Sequence, residues 1–228
     1  MQRTMSFKND RKTLYIVATP IGNLQEMTPR AIDILKNVDY IAAEDTRNTG
    51  KLLKHFEITT KMVVHHKHNE NKSSDGLIKL LKEGNDIALV SDAGYPLISD
   101  PGQSIVNKAI SHGFNVVPIS GSSAILNSIV ASGLCTEAFS FIGFLPIKKS
   151  EARLKLRDIE NREDTLVFYE APHRLSKTLS LLAEELGNRY ICIAREITKQ
   201  YEEFIRGDIS KAAAMSLVEI LLRSPPSS

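Results

Sequence analysis

A chain of 228 residues with 42% hydrophobic and 25% charged residues has enough apolar material for one large domain or two small ones. A formal net charge of +2 does not by itself indicate a nucleic-acid partner, and no apolar run approaches the ~20 residues that cross a bilayer. The polar N-terminus lacks the apolar segment of a secretory signal, and the two cysteines are far apart. The sequence therefore predicts a cytoplasmic protein without a membrane association.

Strand-like and helix-like segments alternate through the first half of the chain. The first helix is predicted to begin at Thr28-Pro29, with Thr28 as its N-cap. Because β/α alternation is typical of a parallel sheet with helices on its faces, the predicted fold class is α/β. Short apolar runs predict strands at residues 14–18, 40–43, 61–64, 87–90 and 115–118, and a helix is predicted at 74–82.

A change to small residues at Ser120-Gly121-Ser122-Ser123 predicts a junction between two α/β domains. Beyond it, strands are predicted at 139–145, 165–169, 190–194 and 201–206, with Gly207 at a turn, and helices at 124–130, 148–160, 175–186 and 212–222. The predicted organisation is a disordered tail at 1–12, an N-terminal domain at 13–119, a shortened C-terminal domain at 120–222 and a disordered tail at 223–228.

The most informative loop follows the predicted strand at 87–90 and extends to Gly102. Asp92 offers a carboxylate at the carboxyl end of that strand, and Gly94 lets a backbone approach a ligand closely. Asp100 and Pro101 predict the next helix start, with Asp100 as N-cap and Pro101 at the first helical position. An ordinary strand-to-helix connection is the alternative, but the length and the acidic, glycine and proline content favour a ligand loop.

Four polar loops follow predicted strands, at residues 20–23, 44–47, 66–70 and 91–102. In a parallel sheet they emerge at one edge, which is the default place for a site. His65, His66 and His68 invite a zinc interpretation, but no third ligand follows at a useful spacing. No metal site is predicted.

Two other segments leave alternatives open. Gly121-Ser122-Ser123-Ala124 opens a helix whose backbone N–H groups could bind a carboxylate or phosphate, or could be capped by a serine. A GxGxxG fingerprint and a lysine-containing phosphate loop are both missing, which disfavours dinucleotide and NTP enzymes. A cluster of basic residues forms either a solvated helix face or an RNA-contacting strip: Lys148, Lys149, Arg153, Lys155 and Arg157.

Six blocks together resemble the signature blocks of the bacterial small-subunit ribosomal RNA cytidine 2′-O-methyltransferases, a branch of the tetrapyrrole methylase superfamily. The resemblance extends from about Thr13 to Gly207, and the set in this order is specific although each block alone is weak. The blocks are VATPIGNL (17–24), EDTR (44–47), HKHNE (66–70), SDAGYPLISDPG (91–102), FIGFLP (141–146) and FYEAPHR (168–174).

The resemblance implies two α/β domains of the class III methyltransferase type, with S-adenosylmethionine in the cleft between them. It also implies a homodimer that acts on a cytidine in small-subunit ribosomal RNA or in the assembled small subunit. Residues 92–94 and Ile98 would line the methionine part of the cofactor, and Pro20 would close the methyl-transfer side. The full implied set is Pro20, Asp92, Ala93, Gly94, Ile98, Ser122, Ser123, Ala124, Tyr169, Ala194 and Arg195, the last three bordering the adenosine.

The blocks at 44–47 and 66–70 would face the RNA. A ribose 2′-hydroxyl is weakly acidic, so its attack on a sulfonium methyl group benefits from a base and from in-line positioning. The candidate bases are Glu70, His66 and Glu44, which the sequence does not rank. The candidate RNA-binding residues are Arg47, Lys149, Arg153 and Arg174.

Two departures from the family pattern bear on these expectations. Ser120-Gly121-Ser122-Ser123-Ala124 stands where the family usually shows Pro-Gly-Pro-Ser-Ala, which predicts a looser hinge. The family continues past the position of Met215 with a strand and a short domain, which predicts impaired activity and RNA binding in this chain. The alternative functions are a tetrapyrrole, corrinoid or diphthine-type methyltransferase of the same fold, and a non-catalytic RNA-binding module.

Overall fold

The computed structural model describes residues 5–7, 11–65 and 70–212. Residues 223–228, most of 1–12 and most of 212–222 lie outside this range, so the predictions made for those tails and that helix are not described. The chain divides between Ala124 and Ile125 into two units, called unit 1 and unit 2 below. Within the described residues, no helix is long and apolar enough to cross a membrane.

Unit 1 is built on a five-stranded parallel sheet. Its strands are β1 (Thr13–Val17), β2 (Tyr40–Ala43), β3 (Lys61–Val64), β4 (Ile87–Val90) and β5 (Asn115–Ile119), in the order β3-β2-β4-β1-β5. Because β4 lies between β2 and β1, the loops that follow these three strands emerge side by side at one edge of the sheet.

Helices cover both faces of this sheet: α1 (Pro29–Asn37), α2 (Thr46–His55), α3 (Glu70–Lys82) and α4 (Gln103–Ser111). Leu35 of α1 and Leu53 of α2 belong to one buried cluster, whereas Leu81 of α3 and Ile105 of α4 belong to the other. Successive residues of β4 enter alternate clusters, which explains its uninterrupted apolar run. The Thr28 hydroxyl accepts a hydrogen bond from Ala31 N at 3.2 Å, which confirms its predicted capping of α1.

The start of α4 corrects the sequence prediction. Asp100 and Pro101 lie in the preceding loop, and Gly102 is the N-cap residue, with φ of +136°. A Cβ at Gly102 would lie 3.0 Å from side-chain carbons of Leu89 and Leu97, so a larger residue would have to displace them and would also be strained by the positive φ. The capping carboxylate comes instead from Glu70, whose Oε1 accepts hydrogen bonds from Gly102 N at 3.0 Å and Ser104 N at 2.9 Å. An acidic group is favourable there because the helix N-terminus is electropositive.

Between residues 125 and 212, unit 2 contains two separate two-stranded sheets. The strands β6 (Phe139–Phe144) and β7 (Thr165–Tyr169) are parallel, whereas β8 (Tyr190–Arg195) and β9 (Glu203–Asp208) are antiparallel. Gly207 pairs with Ile191 inside β9, so the turn predicted at Gly207 is wrong. The helices are α5 (Ala124–Ser132), which begins at the last residue of unit 1, α6 (Lys149–Arg157) and α7 (Leu175–Leu186).

Candidate functional site

The loops after β1 and β4 are joined by a backbone bridge. Thr19 N donates a hydrogen bond to Gly94 O at 2.9 Å, and Gly94 N donates one to Thr19 O at 3.0 Å. The Thr19 hydroxyl, which is buried, donates to Ser91 O at 3.1 Å. These bonds fix Pro20 and Asp92, which follow Thr19 and Ser91 in the sequence, to one rim of the sheet.

The loop from Ser91 to Gly102 is held in an unusual backbone conformation. Gly94 (φ 76°), Leu97 (φ 73°) and Ser99 (φ 66°) all adopt left-handed angles. A non-glycine residue in this region costs on the order of 1–3 kcal/mol and persists only where its surroundings enforce it. Such strain concentrates at ligand loops, which favours the predicted role of this segment.

Two glycines allow three backbone segments to meet at this rim. A Cβ on Gly94 would lie 3.3 Å from Ile21 Cγ2 and 3.9 Å from Ser122 O. A Cβ on Gly121 would lie 2.9 Å from Ala18 Cβ and 3.1 Å from Ala18 O, which forces a shift of the backbone. The glycines therefore leave a wall of main-chain atoms where side chains would otherwise project.

Hydrogen bonds hold the segment in which serines replace the prolines of the family pattern. Ser120 O accepts from the Thr28 hydroxyl at 3.3 Å, and Gly121 N donates to the Tyr95 hydroxyl at 3.2 Å. The Ser122 hydroxyl is buried and donates to the Glu26 carboxylate at 2.5 Å. Residues 120–122 are thus tied to the rest of unit 1 by side-chain bonds, without proline rings.

A cleft of about 390 Å³ opens between the loop after β1, helix α2 and the loop after β4. Asp92 is exposed at this cleft, and its Oδ2 accepts a hydrogen bond from Asn48 Nδ2 at 3.3 Å. Lys51 is also exposed and forms no ion pair within the described part of the chain. The residues lining the cleft are Thr19, Pro20, Ile21, Gly22, Leu24, Asn48, Thr49, Lys51, Leu52, Ser91, Asp92 and Ala93.

The three candidate bases stand in different situations. Glu70, the first residue of α3, uses Oε1 to cap α4. Glu44 follows β2, is half buried and has no hydrogen-bond or ion-pair partner among residues 5–7, 11–65 and 70–212. His66 lies outside the described residues. Within those described, no group of three or more histidine, cysteine, aspartate or glutamate side chains could hold a metal ion.

Arg47 forms a forked pair with Asp45 at the start of α2. Arg47 Nε lies 3.2 Å from Asp45 Oδ1, and Arg47 Nη2 lies 3.0 Å from Asp45 Oδ2. These side-chain hydrogen bonds, together with that from Arg47 N, lower the pKa of Asp45. The Arg47 side chain is 87% exposed, so a phosphate could compete with Asp45 for its guanidinium group.

The basic residues predicted to contact RNA in unit 2 are paired with acidic or main-chain groups. Lys149 Nζ lies 3.1 Å and Arg153 Nη2 lies 2.8 Å from Glu184 Oε2, and these hydrogen bonds lower the pKa of Glu184. Arg153 Nε also lies 2.7 Å from Glu185 Oε1. Arg174 donates to Leu145 O at 3.1 Å and lies 3.4 Å from the Glu170 carboxylate. These pairs stabilise contacts between elements of unit 2, so the charges are partly neutralised before any RNA arrives.

The residues predicted to border the adenosine lie at the ends of β7 and β8. The Tyr169 ring contacts the rings of Phe141 and Phe144, with centroids 4.8 and 5.5 Å apart. Ala194 is half buried, and Arg195 Nε lies 2.8 Å from Glu203 Oε1. Their role at the adenosine stays a prediction from the resemblance.

Comparison with known proteins decides the family. Residues 13–213 match the family Tetrapyrrole (Corrin/Porphyrin) Methylases. The chain is 53% identical over 211 residues to the ribosomal RNA small subunit methyltransferase I of Halalkalibacterium halodurans, which covers 92% of this chain and 73% of that protein. It is 53% identical over 213 residues to the protein of the same name from Bacillus subtilis, with the same shares covered. The chain belongs to the ribosomal RNA small subunit methyltransferase I family.

Solved structures with low sequence identity to this chain share the fold. Diphthine synthase matches with a TM-score of 0.69 at 12% identity, covering 89% of this chain and 84% of that one. Uroporphyrin-III-C-methyltransferase from Thermus thermophilus matches with a TM-score of 0.61 at 18% identity, covering 95% of this chain and 91% of that one. These matches confirm the predicted α/β fold of the class III methyltransferase type.

Sequence reasoning missed three residues of this member of the methyltransferase I family. Asn48 and Lys51 line the cleft, and their spacing of three places them on one face of α2, which was the signal available. Glu170 is a buried carboxylate that accepts hydrogen bonds from Ala171 N at 2.8 Å and from the Thr178 hydroxyl at 2.5 Å. The available signal was its place directly after β7 in the FYEAPHR block. In the structure, its hydrogen bonds join the end of β7 to the first turn of α7.

Proposed function

We propose that this protein transfers the methyl group of S-adenosylmethionine to the 2′-oxygen of a cytidine ribose in small-subunit ribosomal RNA. Membership of the ribosomal RNA small subunit methyltransferase I family supports the reaction class and the RNA substrate. The structural observation that best supports this site is the Thr19–Gly94 bridge, which fixes Pro20 and Asp92 beside the cleft. A homodimer, a cytoplasmic location and the assembled small subunit as substrate are parts of the same proposal.

The residues at the rim fit the cofactor. S-adenosylmethionine carries an ammonium group, a sulfonium centre and a carboxylate, so it needs both an anionic partner and main-chain donors or acceptors. Asp92 supplies the exposed carboxylate, and the absent Cβ atoms of Gly94 and Gly121 leave main-chain atoms accessible at close range. Ser122, Ser123 and Ala124 continue the proposed methionine wall, and Tyr169, Ala194 and Arg195 keep their proposed role at the adenosine. When bound, the cofactor supplies an electrophilic methyl group.

The protein's own contribution is positioning and proton removal. Pro20 and Asp92 are held by the Thr19 hydrogen bonds, so a ligand between them is oriented by a rigid rim, which favours an in-line attack. We assign the acceptor of the 2′-hydroxyl proton to Glu44, because Glu70 already uses an oxygen to cap α4. His66 stays a candidate from the sequence.

Calorimetric titration of S-adenosylmethionine tests the cofactor assignment. The expected result is about one site per protomer, with a much weaker affinity in a folded Asp92→Ala protein. Asp33→Ala is the matched control, since Asp33 is an exposed carboxylate on α1 that does not line the cleft. Equal affinities in the two variants would contradict the role of Asp92.

Methyl transfer to small ribosomal subunits, with the product mapped by its resistance to alkaline cleavage, tests the substrate. The expected product is one 2′-O-methylcytidine, and Glu44→Gln is expected to lower kcat while leaving cofactor affinity unchanged. RNA binding without cofactor binding would favour a non-catalytic module. Methylation of a corrinoid precursor or of a translation-factor histidine derivative would favour another branch of the fold.

A further inference from the structure

We propose that the cleft beside α2 receives a single unpaired nucleotide of the RNA, with Lys51 at its phosphate and Asn48 joining it to the cofactor loop. The inference rests on the proposed function and adds the place and the form in which RNA is bound. It assigns roles to Asn48 and Lys51, which lie outside the six family blocks.

The position of the cleft supports an RNA ligand over the cofactor. Of the residues proposed for the cofactor, Pro20, Asp92 and Ala93 line the cleft, whereas Gly94 and Ser122 do not. The opposite wall belongs to α2, which begins directly after the Glu44-Asp45 pair of the block expected to face RNA. A ligand in the cleft therefore lies next to the proposed cofactor loop. On its other side it lies against α2, the helix that follows the block expected to face the RNA.

Lys51 differs in its partners from the cationic side chains that were proposed from the sequence. Arg47 is paired with Asp45, Lys149 and Arg153 with Glu184, and Arg174 with Glu170, whereas Lys51 has no ion pair within the described part of the chain. A phosphate that binds Lys51 displaces only water. A phosphate that binds one of the paired cations must also compete with a carboxylate.

The remaining walls suit a nucleoside. Ile21, Leu24 and Leu52 provide apolar surface, and Leu24 is 42% exposed, so the apolar face of a base can lie against it. Asn48 offers both an amide donor and an acceptor, and its hydrogen bond to Asp92 links α2 to the cofactor loop.

The size of the cleft limits what it can hold. About 390 Å³ lies near the lower end of the ~300–1,000 Å³ typical of small-molecule sites. A base-paired helix does not enter such a space, but one nucleotide turned out of its stack does. The substrate class is therefore RNA in which the target residue is single-stranded or can be extruded.

Lys51→Ala is the test, with Lys54→Ala as the matched control. Lys54 is an exposed lysine on the same helix that does not line the cleft. Binding of a fluorescent single-stranded RNA containing cytidine is measured over a range of salt concentrations, and cofactor affinity is measured by calorimetry. We expect Lys51→Ala to weaken RNA binding severalfold and to reduce the salt slope by about 1. Lys54→Ala should change neither, and both variants should keep the wild-type cofactor affinity.

Two results would overturn the inference. One is identical RNA affinities and salt slopes in Lys51→Ala and Lys54→Ala. The other is a loss of cofactor affinity in Lys51→Ala that equals the loss of RNA affinity, which would place the cofactor in the cleft. RNA binding and methyl transfer are measured separately. If the wild-type protein binds RNA through Lys51 but transfers no methyl group, the proposed reaction is contradicted and the RNA-binding role of Lys51 is still supported.

Discussion

Units 1 and 2 secure similar helices and strands by different means. In unit 1, β4 is buried along its whole length, with Ala88 and Val90 in one hydrophobic cluster and Ile87 and Leu89 in the other. In unit 2, every residue of β7 is only half buried, and the buried cluster is gathered around Leu156 and its neighbours. Strands covered on both faces fix their loops firmly, which is what the bridged loops after β1 and β4 require.

In unit 2, side chains that bind the backbone connect the helices to the small sheets. Two-stranded sheets are marginally stable alone. Arg206 Nε of β9 donates to Ser132 O at the end of α5 at 3.0 Å, and Lys155 Nζ donates to Ile142 O of β6 at 2.8 Å. Such bonds satisfy carbonyl groups that a larger sheet or a longer helix would satisfy internally. Rigid loops follow from a sheet covered on both faces, whereas the small, half-covered sheets of unit 2 are joined to neighbouring helices by polar contacts.

The largest expected effects on stability come from replacing one buried leucine in the core of each unit. Leu35 in unit 1 and Leu156 in unit 2 are both fully buried, so replacing either by alanine should lower the free energy of unfolding by about 2–5 kcal/mol. We expect the larger loss for Leu35→Ala, because Leu35 packs within the larger of the two buried clusters. Hydrogen exchange should locate the loss in β1–β5 for Leu35→Ala and in β6–β7 for Leu156→Ala.

Leu154→Ala is the control for this pair. Leu154 lies on α6 with 62% of its surface exposed, so its replacement should change stability by no more than about 0.5 kcal/mol. An equal or larger loss for Leu156→Ala than for Leu35→Ala would contradict the expected difference between the two cores.

A smaller effect is expected from the polar contact that holds the end of the 91–102 loop at the start of α4. Glu70→Ala removes the cap of α4 and should cost about 0.5–2 kcal/mol of stability. Glu70→Gln keeps an oxygen that can accept both N–H groups, so it should retain most of that stability. If Glu70 acts by positioning the loop, methyl transfer should follow the same order, with Gln close to wild type and Ala weakened mainly in cofactor affinity.

The kinetics of these two variants separate capping from proton transfer. A base cannot be replaced by an amide, so an equal and large loss of kcat in Glu70→Gln and Glu70→Ala, with unchanged stability in Glu70→Gln, would make Glu70 the base. It would also transfer to Glu70 the role that we assign to Glu44. The pH dependence of kcat for Glu70→Gln provides a second readout, because a cap alone does not alter its shape.

The sequence predicted the strands well where apolar runs end in turn residues. The bounds of β2, β3, β4 and β7 agree with the predicted ones because each is a short hydrophobic run followed by polar or small residues. Local rules failed at α4, since its cap comes from Glu70, which is 32 residues from Gly102 in the sequence. They also could not place Asn48 beside Asp92, because that contact depends on β2 and β4 being neighbours in the sheet.

The smallest expected effect tests the polar contacts of unit 2 at low pH. Hydrogen bonds from Arg162 and then from Ser140 lower the pKa of Asp164 to about 2, from an ordinary value of 3.8. A carboxyl group whose pKa is depressed in the folded state stabilises the protein above its unfolded pKa, and this contribution is lost as the pH falls through the folded value. Asp164→Asn should therefore flatten the fall in the urea midpoint of unit 2 between about pH 4 and pH 2.

Glu163→Gln is the matched control for the acid titration. Glu163 is the exposed neighbour of Asp164 and forms no ion pair within the described ranges, so its replacement should leave the pH dependence as in the wild type. Arg162→Met should flatten the same interval as Asp164→Asn, because it removes the larger cause of the shift. If all three variants lose stability in parallel with the wild type over this interval, the Arg162–Asp164 pair does not stabilise unit 2. The polar contacts that stabilise unit 2 would then be those made to backbone carbonyls.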